Sequence, residues 1–167
     1  GRTVLDANWR VKFDQRGETA LVSIPSSADD VSGWEQLGDA LEAASRLVVP
    51  AGRIIVLSDL AADAGPGIQM LRSCRSAKAA LQPLRRESPP DLVAASQIAA
   101  AADWASVYLL SELPSQAVED TFFTPLESEA EVSRLLNTCD GIVVLAGPRV
   151  IDEGALGKPY LIKQSEK

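Results

Sequence analysis

The sequence predicts an α/β fold, a three-layer sandwich with a mostly parallel sheet flanked by helices and opened by an N-terminal hairpin. Three observations carry that expectation. Apolar residues at helical spacing alternate with short aliphatic runs about three times along the chain, the pattern of strand and crossover helix that builds a parallel sheet. The runs are continuously apolar, Ile54-Ile55-Val56-Leu57 above all, as in a strand covered on both faces. Hydrophobic residues make up 46% of the 167 residues and aromatics only 5%, so the core is expected to be Ala, Leu, Val and Ile packed between layers.

Taken in order, residues 3–24 read as the two arms of the hairpin. Trp9, Val11 and Phe13 alternate with Arg10, Lys12 and Asp14, and Leu21, Val22 and Ile24 follow a turn at residues 15–18. Residues 25–31 are polar and turn-rich, a strand-to-helix loop of the kind that borders ligand sites in α/β sheets. Trp34, Leu37, Leu41, Ala44 and Val48 then mark one stripe of a helix, started by a capping box of Ser32 and Glu35. Pro50 stops it, and Gly52 is expected to take the left-handed turn before the strand at 54–57.

The loop at 59–67 lacks the spaced glycines of a dinucleotide fingerprint and the Lys-Ser/Thr of a P-loop, and Asp59 and Asp63 repel a phosphate. A helix is expected over 68–81, ending before Pro83. Another is expected over 92–105, entered through Ser88, Pro89, Pro90 and Asp91. Residues 107–110 read as a strand, 114–125 as irregular or a short helix anchored by Phe122 and Phe123, and 128–136 as a short helix with a Ser-x-x-Glu start. The last buried strand is expected at 142–146. Residues 1–150 thus form a single α/β domain, and 151–167 a tail or linker, whether docked or disordered.

Composition excludes several functions. A formal charge of −7 argues against a sequence-independent grip on nucleic acid or an anionic membrane, both of which need clustered positive charge. Arg72, Arg75, Lys78, Arg85 and Arg86 are the one basic cluster and read most simply as a solvated helix face. Cys74 and Cys139 have no metal-ligand or redox spacing and suit a reducing, cytoplasmic compartment. The chain contains no histidine. A Ser-His-Asp triad or a histidine-ligated zinc site therefore cannot be assembled from it.

Three stretches resemble the carboxy-terminal domain of the lactate racemase family, the nickel-pincer-nucleotide enzymes. They are Trp34-Glu-Gln-Leu-Gly-Asp-Ala-Leu-Glu-Ala-Ala before Val49-Pro-Ala-Gly-Arg-Ile-Ile-Val-Leu-Ser, then Ser96-Gln-Ile-Ala ahead of Val107-Tyr-Leu-Leu-Ser-Glu-Leu, then Ser128-Glu-Ala-Glu-Val before Ile142-Val-Val-Leu-Ala. The resemblance implies that the chain is a fragment of a larger two-domain protein and the smaller, substrate-side half of a 2-hydroxy acid isomerase or epimerase. An N-terminal catalytic domain of the same protein would carry the nickel-pincer nucleotide and the catalytic histidines. This chain would hold no cofactor and no metal, bind no nucleic acid or membrane, and be inert alone.

The family's substrate-contacting glutamine falls on Gln36. Its carboxylate-pairing lysine falls on Asp39 and its pocket tryptophan near Ala94, departures that point away from lactate itself. Gln36 and Asp39 are the candidate substrate contacts, and an ordinary exposed helix residue is the plainer reading of Gln36. Two other classes stay open. Residues 47–59 also resemble the late strand motif of Rossmann-like methyltransferases, which would make the chain a nucleotide or S-adenosylmethionine binding module. A non-catalytic interaction domain, contacting a partner through Trp34 or Trp104, is the third.

Overall fold

The computed structural model describes residues 16–24, 33–61, 63–138, 141–146 and 160–163. Its strands are β1 (Gly17–Ile24), β2 (Val48–Ser58), β3 (Ser106–Leu110), β4 (Thr124–Leu126), β5 (Gly141–Ala146) and β6 (Tyr160–Lys163). Its helices are α1 (Gly33–Leu47), α2 (Pro66–Arg72), α3 (Ala77–Glu87), α4 (Leu92–Trp104), α5 (Ser115–Glu119) and α6 (Glu129–Leu136). The sheet runs β4-β3-β2-β1-β5-β6. The first five strands pair in parallel, and β6 lies antiparallel to β5 at the edge. β1 sits in the middle, between β2 and β5, and the first arm of the expected hairpin lies outside the described residues.

Strand alternation divides the core into two unequal parts. Val22, Ile54, Val56, Val107 and Leu109 face α1 to α4 and pack with Leu37, Leu41, Ile68, Leu71, Leu84 and Ile98 in one large cluster. Trp34 belongs to it at 3% exposure. The other face presents Leu21, Ile55, Leu57, Tyr108 and Leu110, which pack with Val132, Leu135 and Leu136 of α6. Arg53 ties α6 down from the far end, donating to Thr138 Oγ1 at 2.9 Å.

Helices α1 and α4 approach closely because Gly38 and Ala94 are small. A Cβ at position 38 would stand 3.1 Å from Ala94 Cα and 2.6 Å from Gln97 Oε1. Ala94, where the resemblance places a pocket tryptophan, is thus buried at a helix crossing.

Four local expectations change. The helix expected over 68–81 is two helices, because Ser73 Oγ donates to Met70 O and Ser76 Oγ accepts from Ala79 N, ending one helix and starting the next. The second of these runs through Pro83 to Glu87. Pro83 denies the Ala79 carbonyl its usual amide donor, a tolerable loss because Ala79 is exposed to water. Ser88 closes that helix in the left-handed region instead of opening the next, and Asp91 is the N-cap of α4. At the start of β2 the left-handed residue is Ala51, with φ 61°, and not Gly52. Gly52 answers crowding instead: a Cβ there would meet Val48 Cγ1 at 2.3 Å and Glu18 O at 2.7 Å.

The expected capping box at Ser32 lies outside the described residues. At α6 the second box is not made as expected: Ser128 makes no side-chain cap bond, and Glu131 Oε2 accepts from Glu127 N at 2.9 Å, one residue ahead of the cap. The stretch 114–125 holds α5 and the start of β4, and Phe123 is anchored in the large cluster.

Candidate active-site wall at the carboxyl edge

Strands β2 and β3 leave the sheet through the same four-residue corner, Leu57-Ser58-Asp59-Leu60 and Leu110-Ser111-Glu112-Leu113. Leu57 and Leu110 are register partners, so the two corners stand side by side. In each, the serine Oγ accepts from the backbone amide two residues on, at 3.2 Å from Leu60 N and 3.3 Å from Leu113 N. This turn lets the chain bend sharply while the acidic side chain that follows is left at the sheet edge.

The corners border a cleft of about 590 Å³. Its floor is apolar, from Leu21, Ile24, Leu57 and Leu110, and its far wall is the first turns of α6, with Glu129, Val132, Ser133 and Leu136. Ser23 of β1 completes a rim of hydroxyls. The cleft thus lies outside the carboxyl ends of three adjacent parallel strands, the usual place for ligands in an open α/β sheet. Its size falls within the roughly 300–1,000 Å³ of small-molecule sites.

The chemistry of the rim is one-sided. Asp59, Glu112 and Glu129 bring negative charge, the serines bring hydroxyls, and among the described residues neither lysine nor arginine lines the cleft. Such a surface accepts hydrogen bonds from hydroxyl or ammonium groups and repels an anion. Among the described residues no three His, Cys, Asp or Glu side chains converge where they could hold a metal ion.

The two residues singled out from sequence lie elsewhere. Gln36 is 8% exposed, one of few buried polar residues and not an exposed helix position. Asp39, one turn later, is exposed and accepts from Gln97 Nε2 at 3.2 Å, so it faces α4. Neither lines the cleft. The loop at 59–67, whose sequence argues against a phosphate, leads to a helix start that has already filled its own anion seat: the amides of Gly67 and Ile68 donate to the two oxygens of Asp91, at 2.7 and 3.1 Å. A Cβ at Gly65 or Gly67 would strike that carboxylate, at 2.5 and 2.8 Å. Sequence reading missed both the paired corners and this internal cap; the repeated Leu-Ser-acid-Leu was the visible signal for the first.

Comparison with known proteins finds a fold relative. The solved structure of the lactate racemase apoprotein from Thermoanaerobacterium thermosaccharolyticum superposes with a TM-score of 0.63 at 14% sequence identity. The match covers 80% of this chain and 34% of that one, so the chain spans about a third of the racemase's length. The fold is lactate-racemase-like. No family model matches the sequence, and a search of curated proteins returned no match. No helix among the described residues is long and apolar enough to cross a membrane.

Proposed function

We propose that this chain is the substrate-side domain of a lactate-racemase-like isomerase or epimerase, with the carboxyl-edge cleft as its contribution to the active site. The observation that carries the reading is the position of that cleft in a fold shared with part of a lactate racemase. The absence of histidine supports it, because proton exchange at a 2-hydroxy acid near neutral pH calls for a group that titrates there. A partner domain of the same protein would supply that group and the cofactor. The acidic rim faces the hydroxyl-bearing end of the substrate, and the substrate carboxylate points to the partner domain. Gln36 is a further candidate contact from the helix at the same edge, and Asp39 takes part only if its Gln97 bond opens.

Inversion at C2 tests the reading, followed by chiral chromatography. The chain alone leaves single enantiomers of lactate, glycerate and longer hydroxy acids unchanged. Joined to its cofactor-bearing domain it inverts at least one of them, and Ser111→Ala in the joined protein raises KM more than it lowers kcat. Inversion catalysed by the chain alone sinks the proposal, as does a joined protein whose kinetics ignore Ser111.

A further inference from the structure

At the opposite edge of the sheet the helical layer holds a second depression of about 490 Å³, between α1, α3 and α4. Its chemistry is the inverse of the cleft's. Arg16, Arg46 and Arg85 line it, against one carboxylate among the described residues, that of Glu42. That carboxylate is already committed: it accepts from Gln97 Nε2 at 2.7 Å and pairs with Arg46 one turn along α1. These two bonds, the Gln97 one first, hold Glu42 below the ordinary carboxylate range, so it stays charged and stays occupied. Arg16 and Arg85 have no carboxylate partner among the described residues. In a chain of net charge −7, this is a local positive pocket.

The pocket also has a flat wall. Trp104 ends α4, and its indole Nε1 donates to Val48 O at 3.2 Å, which fixes the plane of the ring. The ring is only half-buried, and the Arg16 guanidinium lies over its face at 5.5 Å from the centroid. A planar cation on an aromatic face marks a surface that accepts stacking, and exposed Arg16 is free to move onto a ligand that takes its place. Arg85, from the last turn of α3, can then meet a negative group carried by the stacked ring, with the forked geometry that suits phosphate or carboxylate.

We propose that this groove binds a planar anion, an aromatic ring bearing a phosphate or carboxylate, stacked on Trp104 and held by Arg16 and Arg85. The site is independent of the substrate reading above, because it shares no residue with the carboxyl-edge cleft.

Titration of the chain's tryptophan fluorescence tests it, with adenosine 5′-monophosphate and indole-3-acetate as ring-plus-anion probes and adenosine and inorganic phosphate as the separated halves. The expected result is a saturable change with at least one of the two probes, and which one identifies the anion. Neither half binds as well, and Arg85→Ala weakens the complex about tenfold, the loss of one charge-assisted contact. Arg85 is exposed, so the variant folds, and calorimetry on it reads affinity without relying on Trp104. No saturable binding of either probe overturns the proposal. So does equal binding of adenosine or phosphate alone, or an affinity untouched by Arg85→Ala.

Discussion

The two faces of the sheet are built from the same aliphatic residues yet end in opposite states. On one, four helices close over Val22, Ile54, Val56, Val107 and Leu109, and nearly every side chain is sealed. On the other, α6 is the one helix packed among the described residues, and Leu21, Leu57, Tyr108 and Leu110 stay half-buried beside an open cleft. The first face spends its apolar surface on stability; the second keeps part of it available. Equal hydrophobicity therefore does not mean equal duty. Among the described residues this face stays open at the carboxyl edge, where an open α/β sheet usually meets its ligands.

Core truncation should break this contrast most visibly if it is wrong. Leu41→Ala on the sealed side, at 0% exposure, should cost about 2–5 kcal/mol in denaturant unfolding, whereas Leu110→Ala on the open side should cost about 1–2 kcal/mol. Equal losses would mean that the second face is sealed as well. Next in size is Asp91→Ala, which strips the cap from α2 and leaves two amide donors bare. A loss of about 1–2 kcal/mol is expected from the same measurement, and Asp91→Asn should recover part of it.

A smaller effect should appear at acid pH. Because Glu42 is held below its ordinary value of 4.5 in the folded chain, its contribution is full above the unfolded value and is lost as pH falls through the lowered folded one. Glu42→Gln should therefore flatten the acid limb of a stability profile and leave the neutral-to-alkaline part unchanged in shape. Smallest of all is Glu112→Gln in the cleft. Removing one of three like charges that have no basic neighbour among the described lining residues should leave the unfolding free energy equal or slightly higher, a change within about 0.5 kcal/mol. A clear loss would assign Glu112 to the scaffold.

Most of the layer order could be read from the chain because it rests on period and length. The run at Ile54 to Leu57 could only be an inner strand, and the stripe from Trp34 to Ala44 could only cover it. What stayed hidden depends on contacts between distant segments. Ser73 and Ser76 divide a helix by local hydrogen bonds that compete with its backbone, and no periodicity reports that. Thr124–Leu126 is too short to show a period at all and is a strand because β3 offers it an edge. Asp91 looked like an aid to its own helix and caps another one. The cleft was half legible: its four-residue corners are written twice, but that they stand abreast is a matter of strand register. Gln36 and Asp39 came from resemblance, and the fold shows one buried and the other turned to α4.

The central claim is that the uncovered carboxyl edge is the surface a hydroxy acid meets. A titration with glycerate of the isotope-labelled chain joined to its cofactor-bearing domain, followed through the amide resonances of this chain, asks this directly. Shifts concentrated at Ser23, Ser58, Asp59, Ser111 and Glu112, with weak but saturable affinity, are the predicted outcome. Shifts confined to the helical layer, or none at these strand ends under saturating ligand, would contradict it.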